Sequence, residues 1–374
     1  MISLAWRNLF HDKVRLAVTL VGIVFALVLI LVQFGLFLGF LDTSSNIVAA
    51  SGADLWISAP EIPHVNGGAV FNESKRYQAL ETPGVARVDK WILFFVLWKL
   101  PSGAQESVQV VGFDLKSGLG GPWNIVQGSY DDLRGDDTVM IDELYAPLLG
   151  VKKIGDVVEI SDRRARVVGF TRGIRSFTTI PYIFTSFKNA QNYTPVEQQQ
   201  TMFLLIRTTP GADLHQVQKA LQSRIQGVDV YTNEEMHRKT QSYWVFSTGA
   251  GVSTLMGSVL GLIVGIVVVA QTIYSATIDH IREFGTLKAI GASNGKIYTV
   301  ILTQEAISAT LGYLIAIVIA KFVSDGSQAS NAPILLPPEV AAGSFVLALL
   351  MCASASILSI RKATRIDPAM VFRG

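Results

Sequence analysis

The chain has 374 residues, 50% hydrophobic and 16% charged, with mean hydropathy +0.40 and a formal net charge of +2. This is the composition of a membrane protein carrying a water-soluble part, without the basic excess that marks a nucleic-acid binder. The single cysteine, Cys352, lies in an apolar run, and the five histidines (His11, His64, His215, His237, His280) lack ligand spacing, so neither a disulfide framework nor a metal cluster is expected.

Residues 1–15 carry Arg7, Lys13 and Arg15 and lead into an apolar run at 16–40. Further apolar runs occupy 251–277, 300–322 and 340–360. Each is long enough to cross a hydrocarbon core of roughly 30 Å, which takes about 20 helical residues. The first run, with basic residues before it and Ala49-Ala50-Ser51 after it, has a superficial likeness to a signal peptide. A secretory apolar core is only about 7–15 residues, so an uncleaved span is expected instead.

Residues 41–248 have the patterning of a globular domain. Strands are expected at Asp54–Ser58, Val85–Leu100 and Ser107–Phe113, the last two joined across the turn signal Pro101-Ser102-Gly103. A short helix at Glu73–Leu80 ends at Pro83-Gly84. Later come a strand at Met202–Arg207, a helix at Asp213–Ile225 with Leu214, Val217, Leu221 and Ile225 on one face, and a strand at Val228–Tyr231. Strand, helix, strand, strand, helix, strand is the split order of a ferredoxin-like unit, assigned to 53–116 and 201–233. An insertion at 117–200 reads as a small β-rich subdomain, with strands at Val139–Asp142, Val157–Ile160 and Ala165–Gly169, and 234–250 reads as a stalk helix. The expected fold class is therefore four transmembrane helices plus an α+β extracytoplasmic domain. Within it, the run Trp91–Trp98 is apolar on both strand faces. It is either a strand covered on both sides or a surface, marked by Trp91, Phe95 and Trp98, presented to a lipid-like substrate or a partner.

Along the second span Ser253, Gly257, Gly261 and Gly265 recur every four residues, and Gly35 and Gly39 repeat the spacing in the first. Small residues at this interval let helix backbones approach, either inside the chain or across a dimer. Polar residues in the spans are few (Gln33, Gln271, Thr272, Gln304, Glu305), which argues against an ion or proton conduit.

Between the second and third spans lies a short polar segment, 278–299. Its Gly291-Ala-Ser293-Asn-Gly295 matches a nucleophile elbow in spacing only. No strand is expected before it and no histidine follows it, so catalysis is not assigned and Ser293 is read as a helix cap. Gly295-Lys296 fails the phosphate-loop pattern, so no nucleotide site is visible in the chain. Lys and Arg cluster at the N-terminus, in this segment and in the tail 361–374, whereas the loop 323–339 has neither. Positive residues are retained inside, which places both termini and the short segment in the cytoplasm and 41–248 outside.

The run Arg282-Glu-Phe-Gly-Thr-Leu-Lys-Ala-Ile-Gly-Ala292 resembles the signature of MacB- and FtsX-type ABC transporter permeases. The start, Trp6-Arg-Asn-Leu9 before Lys13-Val-Arg15, is similar to that family's amphipathic first helix, with Ile2, Trp6, Leu9 and Phe10 on one face. The closing Arg361-Lys-Ala-Thr-Arg-Ile-Asp367-Pro368 and the order of one span, a large outer domain and three spans also resemble the family. Val32-Gln-Phe-Gly35 and Leu41-Asp-Thr-Ser-Ser45 are similar to DevC-type permeases, whose ATPase is a separate chain.

The resemblance implies that Arg282, Glu283, Phe284, Gly285, Thr286, Leu287, Lys288, Ala289, Ile290 and Gly291 couple the chain to an ATPase. Phe284, Leu287 and Ile290 would be its apolar anchors, with Glu283 and Lys288 fixing register. ATP and magnesium would be bound by that ATPase dimer, with no cofactor in this chain. Two permease copies would pass the movement through the second span to the outer domains, driving an amphiphilic substrate through a periplasmic membrane-fusion adaptor and a TolC-like outer-membrane channel. The implied location is a bacterial inner membrane, in contact with lipid. Alternatives are an FtsX-like regulator of cell-wall hydrolases, a LolC-like lipoprotein-release permease and a membrane-anchored receptor.

Overall fold

The computed structural model describes residues 13–279, 286, 288, 290, 292–328, 330 and 332–364. They fall into two compact units. One is helical, from the described parts of 1–39, 252–328 and 332–374; the other is α/β, built on Phe40–Gly251.

The chain opens with helix α1, Lys13–Ala49, whose last turns beyond Gly39 belong to the α/β unit. Strand β1 (Leu55–Ser58), the short β2 (Phe71–Asn72), helix α2 (Lys75–Leu80) and the 15-residue β3 (Val85–Lys99) follow. The turn after β3 carries Gly103 at φ +88, a backbone conformation glycine adopts without steric cost, and β4 (Gln105–Phe113) returns antiparallel. Then come β5 (Ile125–Gln127), β6 (Thr138–Asp142), β7 (Val157–Ile160), β8 (Arg163–Thr171), β9 (Tyr182–Ser186), helix α3 (Phe187–Tyr193) and β10 (Gln200–Thr201). The unit ends with β11 (Phe203–Thr208), α4 (Leu214–Arg224), β12 (Asp229–Thr232) and α5 (Asn233–Ser242).

The main sheet runs β12-β1-β11-β3-β4-β9-β6-β8-β5, with β7 bridging β3 and β8. Its first four strands, each antiparallel to its neighbour, with α2 and α4 as crossovers, have the split order of a ferredoxin-like unit, but β4, expected as one of its strands, pairs on the far side of β3 and leads into the insertion. Helix α4 forms because Asp213 caps it, accepting from the amides of His215 (3.0 Å) and Gln216 (3.2 Å). Val217 and Leu221 on one face are buried against Leu55, Ile57, Val88, Leu204 and Ile206. On the opposite sheet face Trp56, Trp91 and Phe203 meet edge to face with centroids 5.3–5.6 Å apart. The strands of the insertion close on β3 and β4. β9 lies parallel to β4, β6 and β8 follow, and β7 pairs with both β8 and the end of β3, giving a ring β3-β4-β9-β6-β8-β7 with β5 also paired to β8.

Three long helices complete the helical unit: α6 (Ala250–Asp279), α7 (Asn294–Ser327) and α8 (Pro338–Thr364). With α1 they give four candidate spans, Leu16–Ala49, Ala250–Thr272, Asn294–Ser327 and Pro338–Ser356. Pro338 occupies the first position of α8 with Glu339 beside it, the residue types that suit a helix N-terminus. The shared core is small and close-packed: Ile23, Ala26, Leu27, Val269, Ala309, Ala316, Ala348 and Cys352 are nearly or fully buried. Lys321 stands 3.6 Å from Asp325 one turn on. Glu305, one of the few polar span residues, is buried, and its Oε2 has no hydrogen-bond partner.

Candidate functional site

Of the residues expected to receive an ATPase, Arg282, Glu283, Phe284, Gly285, Leu287, Ala289 and Gly291 lie outside the described residues. Thr286, Lys288 and Ile290 are described. The Ile290 amide donates to the Thr286 carbonyl at 3.0 Å, a single helical turn, and the Ile290 side chain is 80% exposed. Ser293 occupies the N-cap position of α7 but makes no side-chain cap bond; its carbonyl accepts from the Lys296 amide at 3.0 Å instead.

The small residues of the spans meet partners inside the chain. A Cβ added to Gly261 would stand 3.5 Å from Gln33 Cγ and 3.6 Å from Leu29 Cγ, and one on Gly265 would stand 3.0 Å from Ile30 Cδ1 and 3.4 Å from Ala26 Cβ. Gly257 faces Gln33 at 3.5 Å, and Ser258, one residue on, donates to the Gln33 carbonyl at 3.0 Å. This face of α6 therefore packs on α1. Gly35 and Gly39 face a different partner, the extended strap at 333–336, where the Leu335 amide donates to the Gly35 carbonyl at 3.0 Å. Ser253 lies one turn before Gly257 on α6.

Sequence reasoning took the stalk as one helix running into the second span, whereas the structure has a joint there. Helix α5 is capped by a reciprocal pair in which Thr232 Oγ1 accepts from the Glu235 amide and Glu235 Oε2 accepts from the Thr232 amide. It passes into a π-helical turn at Tyr243–Ser247 before α6 begins. Gly249 takes φ +75, and a Cβ on Gly251 would collide with the backbone of Val245. The two glycines of Thr248-Gly-Ala-Gly251 were the signal for this break.

Rings clamp the joint. His64 stacks on Tyr243 (4.1 Å, 29°) and leans on Trp244 (4.8 Å), Trp244 packs on Phe177 (4.3 Å), and Phe177 meets Phe40 edge to face (5.3 Å). Burial holds the His64 imidazole below its ordinary value of 6.5, opposed by a hydrogen bond with Asn66, so the neutral ring is the one that stacks. Gln241 donates to the Leu41 carbonyl (3.1 Å) and Asn46 to the Arg175 carbonyl (2.7 Å), tying the outer end of α1 to the stalk and to the loop after β8. Insertion, stalk and α1 extension are thus held at one place, within the α/β unit.

Of the two readings of Trp91–Trp98, the surface one is corrected for Trp91 and Trp98. Both are fully buried, with Trp91 Nε1 donating to the Gly120 carbonyl (2.9 Å) and Trp98 Nε1 to the Leu149 carbonyl (3.1 Å). Their donors are satisfied inside, which is how a tryptophan is accommodated in a core. Phe95 is 39% exposed and Leu97 50%. Asp89, also on β3, is buried with Arg87 Nε 3.5 Å from its Oδ2, and burial raises its carboxyl above the ordinary range, opposed by Ser117 and the Arg87 and Arg76 guanidinium groups. Among the described residues no group of His, Cys, Asp and Glu is placed to hold a metal.

Residues 16–224, more than half of the chain, match the family model described as MacB-like periplasmic core domain, and residues 240–368 match that described as FtsX-like permease C-terminal. An uncharacterized ABC transporter permease of Mycobacterium tuberculosis is 23% identical over 391 positions, covering 100% of both chains. The pyoverdine export ATP-binding/permease protein PvdT of Pseudomonas fluorescens is 22% identical over 405 positions; the match covers 98% of this chain and 58% of PvdT's own length. The periplasmic region of MacB from Actinobacillus actinomycetemcomitans aligns with a TM-score of 0.40 at 11% identity, covering 52% of this chain and 94% of that one.

Proposed function

The chain belongs to the MacB- and FtsX-like family of ABC transporter permeases, and on that premise we propose that it converts ATP hydrolysis by another chain into movement of its periplasmic domain. A permease of this family works with an ATPase, and PvdT bears both functions in its name. Here the ATPase is a separate cytoplasmic dimer that binds ATP and magnesium and seats the segment 282–291 of each of two permease copies. Both termini lie on that side of a bacterial inner membrane, where the clusters of Lys and Arg belong.

The observation that carries the reading is the uninterrupted helix α6. Its 30 residues run from the glycine joint at Gly249–Gly251 to Asp279, next to the coupling segment. At 1.5 Å per residue it is a rod of about 45 Å. A rod of that length with a joint at one end and a docking segment at the other transmits displacement without a polar path through the spans. The periplasmic domains then drive an amphiphilic, lipid-like substrate through a membrane-fusion adaptor and a TolC-like outer-membrane channel.

Co-purification after gentle detergent extraction tests this. An ATPase together with an adaptor is the expected result. An ATPase with a cell-wall hydrolase would make the chain an FtsX-like regulator, an ATPase with lipoprotein and no adaptor a LolC-like release permease, and the absence of any ATPase a receptor.

A further inference from the structure

Strand β12 ends the main sheet, with β1 on one side of it and, among the described residues, no strand on the other. Backbone direction alternates along a strand, and the Asn233 amide donates toward β1, to the Asp54 carbonyl (3.0 Å), so Thr232, Val230 and Val228 aim outward. Bare outward groups on an edge are a template for another chain's strand. These have side-chain partners instead. Gln222 Nε2 donates to the Val228 carbonyl (2.8 Å) and Gln222 Oε1 accepts from the Val230 amide (2.8 Å). Gln218 Nε2 donates to the Val230 carbonyl (3.0 Å), and Glu235 Oε2 accepts from the Thr232 amide (2.8 Å). A further bond, from Gln218 Nε2 to Glu235 Oε2 (2.6 Å), joins the set end to end.

The match has a geometric cause. Gln218 and Gln222 follow the buried Val217 and Leu221 on α4, one helical turn apart. Four helical residues rise about 6 Å, and two strand residues span about 7 Å, so the two carboxamides fall on successive outward groups of β12. A carboxamide carries a donor and an acceptor, as a peptide group does. Gln222 is otherwise exposed, so packing does not require a glutamine there. The groups it helps to cover are also self-complementary: the Val228 carbonyl and the Thr232 amide lie at equal distances on either side of Val230. A second copy laid antiparallel about Val230 would exchange both bonds with its own Val230 and set each Asp229 opposite a Tyr231, with no like charges facing.

We propose that Gln222, Gln218 and Glu235 act as a surrogate strand that seals the β12 edge against the β12 of a second copy. With the seal in place an incoming strand must break as many hydrogen bonds as it makes, so edge-to-edge pairing gains nothing. Without the glutamines both backbone groups of Val230 are free to pair, and neighbouring copies join their sheets through β12.

The test uses the full chain in detergent with Gln218→Ala and Gln222→Ala together, substitutions that suit a helix interior. In dilute solution, hydrogen exchange at Val230 is expected to rise about tenfold or more, with Leu221 of α4 unchanged. Gln218→Met with Gln222→Met keeps the length of both side chains, removes their amides and is expected to give the same rise. Pairing is read by mixing a chain that carries Asp229→Cys with one that carries Tyr231→Cys, with diamide as oxidant. These positions face each other in the antiparallel register centred on Val230, and the native Cys352 is buried. In the alanine background the mixed disulfide is expected to form about tenfold more than with the native glutamines, and more than either single-cysteine chain forms alone. Unchanged exchange at Val230 in either pair overturns the proposal, the methionine result because cover rather than bonding would then protect the strand. An equal rise at Leu221 overturns it as well, since the glutamines would then hold the helix instead of the edge. So does a mixed-disulfide yield that is the same in both backgrounds or is matched by a single-cysteine chain alone.

Discussion

The imidazole of His64 stacks on the ring of Tyr243 with centroids 4.1 Å apart, at the first residue of the π-helical turn that follows the stalk helix. Burial lowers the affinity of the folded chain for a proton on this ring, so as pH falls the unfolded chain takes the proton first. The stabilisation is therefore complete above 6.5, the ordinary histidine value, and is lost as pH drops from there toward the lower folded-state value. Thermal melts between pH 7.5 and 5 should show this loss, together with a change in Trp244 fluorescence. His64→Phe, which keeps a ring and cannot be protonated, should flatten both.

Gly251 permits the close approach that the π-helical turn requires. Gly251→Ala places its new Cβ 2.9 Å from Val245 Cβ and closer still to the Val245 backbone, so the turn must shift. Overpacking of this kind costs about 1–3 kcal/mol. Gly249→Ala should cost about 1–2 kcal/mol for forcing a side chain into a left-handed backbone. Both appear as lower melting temperatures and faster hydrogen exchange across 243–250, with exchange in β1 and β11 unchanged.

Trp91 and Phe95 lie four residues apart on one strand face, yet their truncations should differ sharply. Trp91→Ala removes a fully buried indole and its bond to Gly120, a loss of about 3–5 kcal/mol. Phe95→Ala removes a side chain that is 39% exposed and should cost about 1 kcal/mol or less. Urea titration of the two variants gives the ordering directly.

Gly265 lies over Ile30 and Ala26 of α1. Gly265→Leu should wedge α6 from α1 and lower the melting temperature of the detergent-solubilised chain, at a cost of about 1–3 kcal/mol. If this face joined two copies instead, the variant would shift oligomeric state with the monomer's stability intact.

The element order of the ferredoxin-like unit was legible because its signals are local. Pro83-Gly84 marks the end of α2 before β3, and Leu214, Val217, Leu221 and Ile225 mark the buried face of α4, whereas the equally legible turn at Pro101-Ser-Gly103 leads out of the unit into β4. What covers a strand is not local. The run Trp91–Trp98 is apolar on both faces, and only the placement of Gly120, Leu149 and Phe203 from distant segments settles that its two tryptophans are internal and Phe95 is not. β9 was missed for the same reason, since it pairs in parallel with β4, about 70 residues earlier in the chain. The stalk joint was missed because Asn233–Ser247 reads as helix up to the glycines, and a π-helical turn leaves no periodicity of its own in five residues. The MacB- and FtsX-like signature was legible as a run of residue types, most of which lie outside the described residues.

The central claim is that displacement enters at 282–291 and leaves through the joint at 243–251. It is tested most directly by hydrogen exchange across 234–251 in the permease–ATPase complex, held in nanodiscs with and without ATP and vanadate, for the native chain and for Glu283→Lys and Gly285→Trp. The native complex should change its exchange in this segment by about threefold or more on trapping, while both variants retain nucleotide binding by the ATPase and show no change. An equal change in the native and variant complexes, or none in the native complex, would contradict the account.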